Sequence, residues 1–84
     1  MQAQHALLRV HDARTLTADS RAAFYAKVKD GLLPPLIKIS ARASAVPVRE
    51  IEAVNAARIA GRSDDEIRAL VRRLQAARAQ APHA

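Results

Sequence analysis

Apolar positions along the chain recur at helical spacing in three stretches, which glycine and proline separate. In "TADSRAAFYAKVKDG", Phe24, Val28 and Leu32 recur every four residues, which predicts an amphipathic helix. Gly31 stands where a helix of this length ends, since glycine alone adopts a positive φ without strain. The candidate N-cap residues, whose short side-chain oxygens can accept from first-turn amides, are Thr17, Asp19 and Ser20. A shorter helical stretch, "HDARTLT", comes before this helix.

Two further helices follow in the second half of the chain. "PVREIEAVNAARIAG" is expected to begin at Pro47 and end at Gly61, with an apolar face formed by Val48, Ile51, Val54 and Ile59. In "SDDEIRALVRRLQAARAQ", Ser63 and Glu66 have the spacing of a capping box. The apolar stripe of this last helix consists of Ile67, Leu70, Val71 and Leu74. This stripe either closes the core or forms an interface with a neighbouring subunit or partner.

The stretch between the helices, "GLLPPLIKISARASAVPV", predicts a small β-hairpin. Pro34 and Pro35 exclude further helix, and the β-branched segments "LIKIS" and "SAVPV" have the length of short strands. Ala41, Arg42 and Ala43 would form the turn. The residues expected to pack onto the helices are Leu36, Ile37 and Ile39, which leaves Lys38 facing outward. Near the N-terminus, "LLRV" is either a short extended segment or the start of the first helix.

The order helix, turn, helix, hairpin, helix is that of a winged helix-turn-helix, mainly α with a small β-hairpin and an additional C-terminal helix. The expected organisation is a disordered segment at 1–6, a winged helix-turn-helix domain at 7–60, and an amphipathic helix at 61–84. That helix would pack on the domain or on a neighbouring subunit.

Charge narrows the class of partner. Fourteen Lys and Arg residues against eight acids give the 84-residue chain a net charge of +6, which favours an anionic partner, nucleic acid first. The chain has no cysteine, its three histidines share no ligand spacing, and its serines fit caps and turns. We therefore expect no metal, no cofactor and no catalysis. No leader or membrane span is visible, which predicts a cytoplasmic, nucleoid-associated protein with no membrane partner.

A winged helix-turn-helix places its second helix in the major groove and its hairpin, the wing, beside it. The candidate DNA-contacting residues are Ser20, Arg21, Tyr25, Lys27, Lys29, Lys38, Ser40, Arg42 and Ser44. Arg42 would enter the minor groove, where a cation is attracted to the narrow groove. Simpler alternatives stay open. Tyr25 is then a half-buried core aromatic, Arg21 a solvated helix residue that makes no contact, and the hairpin a structural element whose arginine has no binding role.

From Thr17 onward the chain resembles the AlpA family of small phage-type regulators and excisionases. The family stretch reads approximately T-G-L-S-R-S-T-L-Y, a glycine, F-P-x-P-V-K-L, an arginine-bearing wing and E-V-E-A-W. Here the letters are "TADSRAAFY", Gly31, "LPPLIKI", Arg42 and "EIEAV". The resemblance covers residues 7–60. It departs from the family at the following positions: Ala18 replaces the turn glycine, Asp19 an apolar residue, and Val46 and Val54 two tryptophans.

The resemblance implies a winged helix-turn-helix DNA-binding domain of MerR or excisionase type at 7–60. It would bind double-stranded DNA, either as a recombination directionality factor that helps a site-specific integrase or as a transcriptional regulator at a promoter operator. Excisionases of this kind bind adjacent sites cooperatively, as a homo-oligomer on DNA, and bend it. A hypothesis of another class is a protein-interaction module that uses the last helix, with the basic charge serving solubility.

Overall fold

The computed structural model describes residues 5–80, which form four helices and one three-stranded antiparallel sheet. In chain order the elements are β1 (Leu7–Arg9), α1 (Val10–Leu16), α2 (Arg21–Lys29), β2 (Ile37–Ser40), β3 (Ala43–Pro47), α3 (Val48–Ile59) and α4 (Asp64–Arg78). The predicted disorder at 1–6 falls mostly on residues 1–4, and the end of the predicted segment 61–84 on residues 81–84, all outside the described residues. No helix within 5–80 combines the length and the apolar composition that a bilayer crossing requires.

The sheet is larger than the predicted hairpin, because β1 adds a third strand. The order is β1-β3-β2, and β1 pairs with β3 through Leu8 opposite Val46. The backbone N–H of Val48 also donates to the carbonyl oxygen of Ala6 at 2.9 Å, so ordered structure already includes a residue that was expected to be disordered. The fold is therefore mixed α/β rather than mainly α with an isolated hairpin. A three-residue segment is too short for alternation in the sequence to indicate a strand. Leu7–Arg9 forms a strand because it pairs with β3.

The β2–β3 hairpin contains an irregularity that the sequence pattern did not predict. Lys38 pairs with Ser44, and Ser40 pairs with Ala43, so Ile39 is an extra residue on β2 without a partner on β3. Ile39 is 46% exposed. The prediction that Ile39 packs onto the helices is therefore wrong, because the bulge at this residue breaks the alternation on which that prediction depended.

The core lies between the helices and one face of the sheet. Its buried apolar residues are Val10, Ala13, Phe24, Leu33, Val46, Ile51, Val54, Ile67 and Val71. Val46 and Val54, which stand where the AlpA pattern has tryptophans, are thus core residues. Ile59 is 87% exposed, so its predicted place on the apolar face of α3 is wrong. It lies in the last turn of α3, where neither α4 nor the sheet covers it.

Helix α4 belongs to the core of the same chain. Ile67 is fully buried and Val71 is 4% exposed, while Leu70 and Leu74 are half-buried and pack against the core. The assignment of the stripe as an interface is therefore corrected for Ile67 and Val71, because side chains buried within the chain present no surface to a partner. Of the two alternatives for α4, core closure is the one observed.

Local signals in the sequence placed the helix starts and ends well. The Ser20 hydroxyl oxygen accepts from the Ala23 N–H at 3.1 Å, which selects Ser20 among the three candidate caps of α2. The predicted capping box of Ser63 and Glu66 is confirmed at the start of α4. Gly31 follows α2 with a φ of 77°. Ala18, in the turn before α2, has a φ of 60°, so it keeps a left-handed conformation without a glycine.

Candidate nucleic-acid interface

Helix α2 has one exposed face and one face directed into the protein. At 100° per residue, Arg21, Tyr25 and Lys29 share the exposed face with Ala22 and Ala26, all of which are solvent-exposed. The opposite face carries the buried Phe24. The exposed face combines two cations, one aromatic ring and two small residues, which allows close approach of a flat anionic surface.

Tyr25 has features of both a surface residue that could contact DNA and a half-buried core aromatic. It is 41% exposed and also contacts Phe24. Its ring meets Phe24 edge-on with centroids 6.4 Å apart, and the guanidinium carbon of Arg21 lies 5.7 Å from the Tyr25 centroid. This cation–π contact holds Arg21 over an aromatic face. Arg21 is therefore positioned rather than freely solvated, and Tyr25 is both a core contact and a surface group.

Lys27 was predicted among the DNA contacts, but it lies on the inward side of α2. Its Nζ donates to Asp19 Oδ1 at 2.8 Å, and the Asp19 side chain is only 9% exposed. Lys27 is half-buried and its charge is paired with Asp19, so its contact with DNA stays a prediction that this ion pair disfavours. The same ion pair compensates the acid that departs from the AlpA pattern, so Asp19 adds little negative charge to the exposed face of α2.

The second Asp19 oxygen marks a cleft behind α2. Oδ2 is buried and has no hydrogen-bond partner among residues 5–80. The cleft has a volume of about 320 Å³ and is lined by the α1–α2 turn, the inner side of α2 and the end of α3, including Leu16, Val54 and Ile59. Because Lys27 lines this cleft, it opens on the side of α2 away from Tyr25 and Lys29.

The hairpin presents most of its predicted site residues to solvent. Lys38 and Ser40 on β2 and Arg42 in the two-residue turn are exposed, while Ser44 on β3 is half-buried. A turn made only of Ala41 and Arg42 leaves the arginine at the tip of a narrow, small-residue loop. Exposed Ile39 is a surface residue that sequence reasoning assigned to the core. The feature that exposes Ile39 is the bulge, which can be recognised only from the pairing of β2 with β3.

Ion pairs separate the cations of the chain into two sets. Within residues 5–80 the five cations paired to carboxylates are Lys27, Arg58, Arg62, Arg68 and Arg78. None of the four cations on the exposed face of α2 and the hairpin has a carboxylate within 4 Å in that range; these are Arg21, Lys29, Lys38 and Arg42. The pairing leaves the two predicted DNA-contacting elements with uncompensated positive charge.

Arg9 is another sheet cation with no carboxylate within 4 Å among residues 5–80, and the sequence analysis gave it no role. Arg9 ends β1 and is in register with Ala45 of β3, which in turn pairs with Ile37 of β2. Arg9 is exposed. The residue went unassigned because the sequence left open whether "LLRV" is a strand, and only strand pairing brings Arg9 to the same sheet as Lys38.

The described residues hold no cluster of three metal-ligand side chains, and two of their serines have structural roles. Among residues 5–80 no three side chains of His, Cys, Asp or Glu gather closely enough to hold a metal ion. Ser20 and Ser63 both serve as helix caps. What the arrangement provides is a set of exposed cations and one aromatic ring on two short elements.

Comparisons of the chain with protein-family models, curated proteins and solved structures give no match. The likeness to the AlpA family therefore stays a prediction from the quoted letters.

Proposed function

We propose that the chain is a sequence-specific, double-stranded-DNA-binding protein with a winged helix-turn-helix, in which α1 and α2 form the helix-turn-helix and β2–β3 the wing. In this proposal α2 enters the major groove with Arg21, Tyr25 and Ser20 near base edges. Lys29 and Lys38 contact phosphates, and Arg42 enters the minor groove.

The observation that carries the proposal is the distribution of ion pairs. Every cation on the exposed face of α2 and on the hairpin lacks a carboxylate within 4 Å among residues 5–80, so the positive charge of both elements can meet an external anion. Five cations within residues 5–80 pair with carboxylates, namely Lys27, Arg58, Arg62, Arg68 and Arg78, whereas Arg21, Lys29, Lys38 and Arg42 do not. Elsewhere in that range the cations without such a pair are Arg9, Arg14, Arg49, Arg72 and Arg73. Uncompensated cations on two neighbouring elements in sequence order fit the phosphates of a duplex.

Within DNA binding, we favour a recombination directionality factor that binds adjacent attachment-site sequences, bends them and assists a site-specific integrase. The AlpA resemblance supports this role and equally supports the alternative, a transcriptional regulator at one operator. Both use the same groove contacts. A DNase footprint separates them, since contiguous protected sites within an attachment region favour excision and a single promoter site favours regulation.

The competing hypothesis, a protein-interaction module that uses α4, has less support. A helix that docks in a partner's groove needs a free apolar stripe. Ile67 and Val71 are instead in the core of the same chain, and only the half-buried Leu70 and Leu74 remain near the surface.

The test of DNA binding is a mobility-shift titration on the DNA that flanks the gene, at two salt concentrations. Neutralised phosphates release counterions, so log K should fall with log salt by about 0.9 for each contact. Successive shifted bands that weaken steeply with salt support the proposal and point to a homo-oligomer on DNA. Absence of any shift at either salt concentration contradicts it.

A further inference from the structure

Ile39 combines three properties that an isolated surface residue does not normally share. It is the extra residue of a β-bulge, it is 46% exposed, and it lies two residues from the turn that carries Arg42. Bulges turn a side chain out of the regular alternation of a strand. The bulge therefore removes a β-branched apolar side chain from the core pattern and leaves it in solvent close to the hairpin tip.

The charge around Ile39 indicates what kind of surface can cover it. Lys38 precedes it, Arg42 follows the next two residues, and neither cation has a carboxylate within 4 Å among the described residues. An apolar partner surface would have to desolvate these cations. A duplex groove instead offers phosphates for the cations and stacked bases, which are apolar on their faces, for the isoleucine.

Pairing of β2 with another strand is a poor alternative. β2 is an edge strand, since the sheet order is β1-β3-β2. The bulge at Ile39 and the exposed Lys38 are both features that protect an edge from further strand addition. The neighbours Ser40 and Ala41 are small, so the end of the hairpin is slim enough to approach the floor of a minor groove.

We propose that Ile39 is a wedge that inserts at a base step in the minor groove while Arg42 anchors the hairpin beside it. This inference rests on the proposed DNA binding and adds a source of specificity to it. A wedge unstacks one step and kinks the duplex, which favours flexible pyrimidine–purine steps over stiff A-tracts. Ile39 would thus select DNA by deformability rather than by hydrogen bonds to bases.

The test uses the full chain and labelled 30-base-pair A·T-rich duplexes that differ only at the centre: a TpA step, an ApA step within an A-tract, or a single-nucleotide gap. Binding is measured by fluorescence anisotropy, and bending by energy transfer between the duplex ends. The unmodified protein should bind the gapped duplex about tenfold more tightly than the A-tract duplex, because the gap removes most of the unstacking cost. It should also bring the labelled ends closer together.

Two variants and a matched control make the result specific. Ile39→Ala should bind the gapped and A-tract duplexes within about twofold of each other and should bend neither, whereas Ile39→Leu should restore the preference. Ile59→Ala is the control, because Ile59 is the other strongly exposed isoleucine of the described residues and lies outside the hairpin. Thermal melting shows whether each variant is folded.

The outcomes separate the wedge from DNA binding itself. If Ile39→Ala is folded, binds, and keeps the bend and the preference of the unmodified protein, the wedge is contradicted and DNA binding stands. If Ile39→Ala and Ile59→Ala lose affinity equally on all duplexes, the effect is not a wedge. If the unmodified protein binds none of these duplexes but shifts the DNA that flanks its gene, this inference fails and the proposed function stands. If it shifts neither, both fail.

Discussion

Arg78, in the last turn of α4, forms a two-point contact with Glu50, in the first turn of α3 and 28 residues earlier in the chain. Its Nε donates to Oε2 at 3.0 Å and its Nη2 to Oε1 at 2.6 Å. Nη2 also donates to the carbonyl oxygen of Pro35 at 2.8 Å. Because the Glu50 side chain is 2% exposed, one guanidinium ties the end of α4, the start of α3 and the loop before β2 around a buried charge.

Arg78→Ala should lower the free energy of unfolding by about 3 kcal/mol, because it leaves the Glu50 carboxylate buried without its partner. The matched control is Arg73→Ala, an exposed cation on the same helix that should change stability by less than about 0.5 kcal/mol. Urea unfolding followed by circular dichroism measures both variants. Equal urea midpoints for Arg78→Ala and Arg73→Ala would mean that the contact between Arg78 and Glu50 does not stabilise the fold.

Ala18→Gly should stabilise the protein by about 1 kcal/mol, because an alanine at a φ of 60° bears left-handed strain that glycine lacks. The same change at Ala26, an exposed position inside α2, should destabilise by about 1 kcal/mol through lost helix propensity. Opposite signs in the two melting temperatures are expected. A loss of stability in Ala18→Gly would show that the turn before α2 does not hold its left-handed conformation in solution.

Acid should weaken the start of α4 through Glu66. The backbone N–H of Ser63, followed by its hydroxyl, holds the pKa of Glu66 below its ordinary value of 4.5. The contribution of this lowered pKa to stability is therefore complete above pH 4.5 and is lost as the pH falls through the folded-state value. The melting temperature of the unmodified protein should exceed that of Glu66→Gln at pH 7, and the two should converge in acid.

The control for that pH dependence is Glu52→Gln, since Glu52 is exposed and has no ion pair among the described residues. Its difference from the unmodified protein should stay flat across the same range. A Glu66→Gln difference that is equally flat would contradict the role given to the capping box.

Lys27 and Lys29 lie two residues apart on α2, and their alanine variants should affect different properties: Lys29→Ala DNA binding, and Lys27→Ala stability. Lys29→Ala should weaken DNA binding and reduce the salt slope by about 0.9, because one phosphate contact is lost. Lys27→Ala should leave the salt slope unchanged and lower stability by about 2 kcal/mol, because the buried Asp19 carboxylate loses its donor. Titrations at several salt concentrations, with melting curves beside them, distinguish the two. The same loss of slope in both variants would place α2 differently on DNA.

Arg42→Ala should reduce affinity for A·T-rich duplexes more than for G·C-rich ones and leave the melting temperature unchanged. The reason is that a narrow A·T-rich minor groove attracts a cation most strongly. Anisotropy titrations on two duplexes of equal length measure the ratio. Unchanged affinity on both would remove Arg42, and with it the hairpin, from the DNA interface.

Prediction from sequence succeeded where a few adjacent residues decide the structure. Ser63 and Glu66 define the start of α4, and Gly31 ends α2, because caps and positive φ values depend on one turn of backbone. The stripe of α4 was also visible, since its period is set within the helix. The sequence could not show what the stripe packs against, because whether Ile67 and Val71 contact the core of the same chain or a partner depends on the positions of α3 and the sheet.

The candidate site divides in the same way. The sequence indicated that α2 and the hairpin carry cations, and it named Arg21, Lys29, Lys38 and Arg42 among them. It could not show that Lys27 turns inward to Asp19, because that pairing depends on the turn at Ala18, which brings the acid under the helix.

By itself, then, the sequence determined the helices, their caps, the location of a hairpin and an excess of positive charge, all of which are local or additive properties. Tertiary structure alone decided that β1 completes a sheet, that Ile39 leaves the core at a bulge, and that Arg78 reaches Glu50. The physical reason is that each of these depends on partners far apart in the chain. Strand pairing and a buried ion pair contribute to the free energy of folding only when the fold brings their distant partners together.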